Sequence, residues 1–283
     1  MSSTLQVIAG GTCGTCVSPL QDRKSRLTTS FGIVIDQMGI IIDHGYGILN
    51  VVPEFRRRNV ENVIILQTHF HMDHIAGLSM NPYFFDRHLK SLSVWAPGRA
   101  GFNDAFDQAF SEQRWPLCPP RPNIHHFMDL LDPDSLPFGI RAFALNHPGG
   151  SVAYRIPHPS GDVVIATDHE PNGITDASYA RFVSGAGLLI ADIQYRQSEY
   201  DGEVGIGGAE ALSRRDWGHA TPELLLEVLG KCEQLPRTLW VTHHDPMRPE
   251  RDLCRFFEEV DTVFGNAGVS EIGFIEDGDT FDR

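Results

Sequence analysis

The chain is short of positive charge. Its 283 residues carry 23 Lys and Arg against 37 Asp and Glu, a formal net charge of −14. Gripping the phosphates of DNA or RNA takes clustered basic side chains, so this balance disfavours a polynucleotide partner. A small anionic substrate stays open, because bound divalent cations reverse the local field. Cysteine is scarce as well. The five, Cys13, Cys16, Cys118, Cys232 and Cys254, are odd in number in a chain that is not small, which argues against a disulfide framework. Cys13-Gly14-Thr15-Cys16 has redox-motif spacing, but it lies in a Gly-rich turn with no second cysteine pair to complete a zinc site, and reads as ordinary turn residues. No stretch approaches the ~18 apolar residues of a membrane span. Met1-Ser2-Ser3-Thr4-Leu5 has no basic n-region and no long apolar run. The expectation is a cytoplasmic protein that does not engage a membrane.

What is present is ordinary globular material, 41% hydrophobic and 21% charged, enough for a sizeable core. One segment stands out. Thr68-His69-Phe70-His71-Met72-Asp73-His74 packs three imidazoles and a carboxylate behind the apolar run Val63-Ile64-Ile65-Leu66. That run is short, continuous and β-branched, and reads as a buried strand. The polar cluster therefore sits where a strand ends. His69 and His71 are two apart and project to the same side of an extended segment. Asp73 and His74 fall where a helix is due to begin and face a second point nearby. One loop can thus hold two metal ions, and imidazole with carboxylate suits zinc, with manganese or iron as alternatives.

Strands are expected at Leu5 to Ala9, at Ser30 to Asp36 and Gly39 to Asp43 as a hairpin, and at Ile140 to Leu145, Val152 to Ile156, Val163 to Ala166, Leu188 to Ala191 and Thr238 to Thr242. A short helix is expected around Pro53 to Arg58, and another over Pro222 to Lys231 with Thr221 as N-cap and Pro222 at the first helical position. Residues 100–135 read as an insertion: a helix with Phe102, Phe106 and Phe110 at helical spacing, then a Pro-rich loop from Trp115 to Pro122. That phenylalanine stripe suits core packing, a dimer contact or a lid. Nothing marks an internal linker. The whole of 1–283 is expected to form a single α/β domain, two sheets inside and helices outside.

Further polar residues follow strands, where catalytic groups gather. His147 follows Phe143-Ala144-Leu145, Asp168 follows Val164 to Thr167, Asp192 follows Leu188 to Ala191, and His243-His244 follow Leu239 to Thr242. His219 precedes a helix in Trp217-Gly218-His219-Ala220-Thr221-Pro222. This set, with the full His69-to-His74 signature, resembles the metallo-β-lactamase superfamily over roughly Val7 to Pro246. Asp192-Ile193-Gln194-Tyr195, Trp217 to Pro222 and Thr242-His243-His244-Asp245-Pro246 resemble its phosphodiesterase branch, which includes transfer-RNA 3′-processing nucleases and cyclic-nucleotide phosphodiesterases. Ala220 stands where that branch has a serine, and residues 201–216 are longer and more Gly-rich than its pattern.

The resemblance implies a four-layer αββα sandwich with two divalent cations. His69, His71 and His147 would hold one. Asp73, His74 and His243 (or His244) would hold the other, with Asp168 bridging. A shared water, its pKa lowered from ~15.7 toward neutral, would attack the substrate. His219 would protonate the leaving group or grip the phosphate, Asp192 would orient His219, and Asp73 would sit in the catalytic centre. Asp245 would support a liganding histidine or merely shape a turn. The expected reaction is hydrolysis of a small phosphodiester such as a cyclic nucleotide. The alternatives are a lactonase, thioesterase or β-lactamase, a transfer-RNA-processing endonuclease, or a non-hydrolytic scaffold. Family members often form dimers, which makes a homodimer an expectation too. His125, His126 and His158 read as loop residues, His169 as a pocket wall, and Arg214 and Arg215 as solvated side chains or phosphate contacts.

Overall fold

The computed structural model describes residues 4–17, 26–98, 101–127 and 136–282. These fall into two compact units. One takes residues 4–17, 26–98, 101–127, 136 and 276–282, the other residues 137–275. Parts of the expected insertion, residues 100 and 128–135, lie outside the described residues.

The first unit is built on β1 (Leu5–Gly11), β2 (Ser30–Ile35), β3 (Met38–Ile42), β4 (Asn62–Leu66), β5 (Ser91–Pro97), β6 (Asn123–Phe127) and, from the chain's end, β13 (Thr280–Asp282). They form one sheet in the order β13-β1-β2-β3-β4-β5-β6. Pairing is antiparallel from β13 to β3 and parallel from β3 to β6. Helix α1 (Ile48–Arg57) starts five residues earlier than expected and keeps Pro53 inside it. Its buried Ile48, Val51, Val52 and Phe55 lie on one stripe, and that burial outweighs the lost Pro53 hydrogen bond. A Cβ on Gly32 would come within 2.7 Å of the Val51 side chain, so helix and sheet meet only over a glycine. After the single-turn α2 (Met72–Ile75), Phe102, Phe106 and Phe110 of the α3 region (α3, Gly101–Ala109) are buried: Phe102 lies against Phe106, Phe106 and Phe110 against Phe84, and Phe110 against Trp115. The stripe is core, neither a lid nor a dimer surface. After the Pro-rich turn, residues 123–127 form edge strand β6, not loop. His125 stacks on Trp95 at 4.1 Å.

The second unit carries β7 (Arg141–Leu145), β8 (Ser151–Ile156), β9 (Val163–Ala166), β10 (Leu188–Asp192), β11 (Thr238–Thr242) and β12 (Glu271–Phe274) in the order β12-β11-β10-β9-β8-β7. Strands β9 to β12 are parallel, and β7 to β9 antiparallel. Between α4 (Asp176–Val183) and α6 (Pro222–Leu229) lies the single-turn α5 (Gln197–Tyr200); α4, α6 and α7 (Glu250–Asn266) bury Tyr179, Val183, Leu225, Val228, Phe256, Val260 and Phe264 in one apolar cluster with the strand residues Val164, Leu189 and Val241. Thr221 caps α6, its hydroxyl accepting from the Leu224 N–H at 3.2 Å. Among the described residues no helix is long and apolar enough to cross a membrane.

Candidate metal centre

In the first unit the cluster is organised by a residue the sequence did not single out, Asp43. Parallel pairing of β3 with β4 sets Ile42 beside Leu66, so the residues just past both strands meet. Asp43 is buried with φ 61°, a conformation that Asp tolerates better than most residues. Its Oδ1 accepts from the Thr68 N–H at 2.7 Å and from Gln67 Nε2 at 2.8 Å. Its Oδ2 accepts from the Thr68 hydroxyl at 2.7 Å and from His74 Nδ1 at 2.7 Å. A carboxylate only accepts, so His74 carries its proton on Nδ1 and presents Nε2. Thr68 spends its one hydroxyl proton on Asp43, so its oxygen accepts from His69 Nδ1 at 3.0 Å, and His69 also presents Nε2. One carboxylate thus sets the tautomer of two imidazoles, the arrangement that orients metal-liganding histidines. The His69 ring lies 4.6 Å from that of His71 and 4.2 Å from that of His74. Asp73 Oδ2 lies 3.4 Å from His74 Nε2 and accepts the Thr15 N–H at 2.8 Å. The Cys13-to-Cys16 turn therefore supports Asp73 through its backbone. Burial pushes the Asp43 carboxyl up, and the proton on His74 pulls it back.

In the second unit the residues come from separate strand ends brought level by parallel register. Ala166 lies beside Ala191, and Asp192 beside Thr242, so Asp168, Asp192 and His243 emerge on one edge. Asp168 (φ 60°) and His243 (φ 63°) are both left-handed, and such sparsely populated backbone gathers at functional sites. His243 Nε2 lies 3.3 Å from Asp168 Oδ1, and His147 Nε2 lies 3.7 Å from the same oxygen. His147 Nδ1 donates to the Gly218 carbonyl at 3.0 Å, which again leaves Nε2 facing the carboxylate. Gly218 has φ 89°, and a Cβ there would sit 2.0 Å from His147 Nδ1, so the position demands glycine. His219 Nδ1 donates to Asp192 Oδ2 at 2.6 Å, and its ring stacks on His243 at 4.9 Å. His244 instead stacks on Phe274 at 4.5 Å, so His243 is the one that faces Asp168.

Glu170 holds this turn in place. Its carboxylate accepts the Asp216 N–H at 2.9 Å and the Gly218 N–H at 2.7 Å, and it also takes the Tyr200 hydroxyl. Glu199 and the buried Arg248 form an ion pair in which Arg248 Nη1 donates to Glu199 Oε1 at 2.8 Å. Neither Glu170 nor Asp43 carries a local sequence signal, since each acts through strand pairing or through residues distant in the chain. Burial pushes Asp192 well up, with Asp168 adding to the shift, while His243 pulls it down. His169 Nδ1 accepts the Asn146 N–H at 3.1 Å, and burial lowers its pKa to about 4. His158 bonds Ser160 at 2.7 Å in a turn, and Asp245 accepts the Met247 N–H at 2.8 Å. Arg214 is buried and donates to the Glu199 and Leu212 carbonyls at 2.9 and 3.0 Å, whereas Arg215 is exposed and pairs with Asp201.

The donor chemistry fits divalent cations. His147 Nε2 and His243 Nε2 both face the Asp168 carboxylate, at 3.7 and 3.3 Å. Imidazole Nε2 atoms fixed by Nδ1 hydrogen bonds, beside carboxylate oxygens, are what zinc and its neighbours take.

The sequence profile described as "Beta-lactamase superfamily domain" matches residues 40–244. No curated protein sequence matches the chain. Among solved structures, unliganded yeast PDE1 is 15% identical with a TM-score of 0.69, covering 98% of this chain and 99% of its own. The short form of human tRNase Z (ELAC1) is 16% identical with a TM-score of 0.63, covering 98% of each chain. A diphosphatase of the PhnP family is 15% identical with a TM-score of 0.64, covering 99% of this chain and 97% of its own. At these identities the likeness is one of fold: two mixed sheets with flanking helices. With more than half its length matched by the family profile, the chain belongs to the metallo-β-lactamase superfamily of metal-dependent hydrolases.

Proposed function

We propose that the chain is a dinuclear-metal phosphodiesterase of the cytoplasm, acting on a small anionic phosphodiester such as a cyclic nucleotide. The observation that carries this reading is the His219–Asp192 pair at 2.6 Å, set beside His147, Asp168 and His243. In a phosphodiesterase that pair can both bind the phosphoryl charge and protonate the leaving alkoxide, whereas a neutral ester or lactam offers it only the second role. The liganding roles are those the family resemblance implies. By that resemblance His69 and His71 with His147 would hold one cation and Asp73 and His74 with His243 the other, with Asp168 common to both. When bound, such cations supply Lewis acidity and an activated water.

The chain's own residues do the rest. Asp43 and Thr68 keep His69 and His74 in the Nε2-presenting tautomer. Gly218 does the same for His147 through its carbonyl. His219, with Nδ1 held by Asp192, keeps Nε2 for the substrate. As an imidazolium it stabilises the phosphate charge and can release its proton to the departing alkoxide, while Asp192 offsets the positive charge. The net charge of −14 favours a small substrate over a polynucleotide. A homodimer, which the resemblance implies, would use a surface other than the buried Phe102, Phe106 and Phe110.

The test offers metal-loaded protein bis-p-nitrophenyl phosphate, cyclic nucleotides, pre-tRNA, a lactone and a cephalosporin. Turnover of the first two is expected, and it should collapse in His219→Ala while bound metal stays. Rapid lactone or lactam turnover, unchanged in His219→Ala and without phosphodiester cleavage, would replace this reading with the second one.

A further inference from the structure

We propose that Trp217 is a stacking platform for an aromatic base, so that the site selects nucleotide diesters among small phosphodiesters; this rests on the phosphodiesterase reading. Trp217 is a large apolar side chain left 47% exposed, two residues before His219 in the chain. It is not loosely attached. Its backbone N–H donates to the Arg214 carbonyl at 3.2 Å, and both its neighbours, Asp216 and Gly218, donate their backbone N–H groups to the buried Glu170 carboxylate. The Arg214 guanidinium is itself buried, lies over the Trp217 ring at 5.9 Å and lies over the Tyr195 ring at 5.3 Å. Tyr195 in turn sets its ring edge-on to His219 at 5.9 Å. One face of the indole is therefore backed by a fixed cation, and the exposure belongs to the rest of the ring. Holding a rigid aromatic in water costs hydrophobic burial, and the arrangement makes sense when a flat apolar partner completes it. A base has a π-face whatever its identity, and stacking on a pre-positioned aromatic adds affinity without hydrogen-bond readout. Successive Cα atoms are ~3.8 Å apart, so Trp217 stays within about two residues' reach of His219. A nucleotide whose phosphate meets His219 can lay its base there.

The test compares wild type, Trp217→Ala and Trp217→Phe as metal-loaded enzymes on 3′,5′-cyclic AMP and on glycerophosphoethanolamine, a diester with no ring. In Trp217→Ala, KM for cyclic AMP is expected to rise about tenfold or more at unchanged kcat, the scale of one base–aromatic stack. Turnover of glycerophosphoethanolamine should not move, and Trp217→Phe should recover most of the loss. As a second readout, AMP should quench tryptophan emission in wild type and much less in Trp217→Phe. Quenching without hydrolysis of any diester would sink the phosphodiesterase reading and leave the platform standing. An equal KM change on both diesters would overturn the platform, and so would unaltered cyclic AMP kinetics in a folded Trp217→Ala. A shift in oligomeric state by light scattering with no KM change would make Trp217 an interface residue and overturn it as well.

Discussion

The two units assemble their polar clusters by different means. In the first, His69, His71, Asp73 and His74 lie within six consecutive residues, and one carboxylate, Asp43, sets two of the imidazoles. In the second, His147, Asp168, Asp192, His219 and His243 span nearly a hundred positions; the parallel register of β9, β10 and β11 brings Asp168, Asp192 and His243 level, while His147 follows β7 and His219 precedes α6. The first unit's geometry is a property of a loop, and the second's is a property of a sheet. A loop built around one anchor should fail at that anchor. A sheet edge should fail only where a group does chemistry of its own or where backbone is forced.

The sharpest break of this contrast is His219→Ala. Loss of a positioned general acid costs about 10²–10⁴-fold in turnover, and metal content by elemental analysis should stay at the wild-type level. Next is Asp43→Asn in the first unit, which removes the charge that holds His74 and Thr68. Disturbing such a support costs about 10–100-fold in metal affinity, to be read by chelator competition. Comparable losses of affinity from both variants would erase the distinction between the units.

A third experiment sets one buried histidine of each unit against the other. Burial lowers the pKa of His44 and of His169 to about 4, below the 6.5 of an unfolded histidine. The unfolded chain therefore binds more protons between these values, and stability falls as pH drops from about 6.5 toward 4. Each group contributes up to about 1.4 kcal/mol per pH unit. Urea unfolding of metal-stripped protein at pH 7 and pH 5 should show the loss, and His44→Asn should shallow it. The smallest expected effect is Thr221→Ala. Removing this N-cap of α6 should cost about 1 kcal/mol in the same assay and leave metal affinity unchanged.

Strands β1 to β4 and β8 to β11 were legible because buried strands write themselves as short continuous apolar runs, and edge strand β7 was legible from the apolar run Ala142-Phe143-Ala144-Leu145. Edge strand β6 was not, since Asn123-Ile124-His125-His126-Phe127 is half polar and gains its pairing only from β5. Helix α7 carries its signal locally, since Leu253, Phe256, Val260 and Phe264 follow a helical stripe and are buried. Strand β13 is three residues long and exists only because β1 offers an edge. The strand-end histidines and aspartates stood out by residue type and place. Asp43 and Glu170 did not, because an aspartate after a strand and a glutamate in a loop look like any others until pairing shows what they hold.

By itself the sequence determined the chemistry: which ligand types are present, that three imidazoles crowd one strand end, and that the net charge is −14. Those are local or additive properties, readable without a fold. Only tertiary structure decided which histidine faces Asp168, which nitrogen each imidazole presents, and that Trp217 stands exposed over a buried arginine. These depend on register and burial, which join residues far apart in the chain and which no short window of sequence contains.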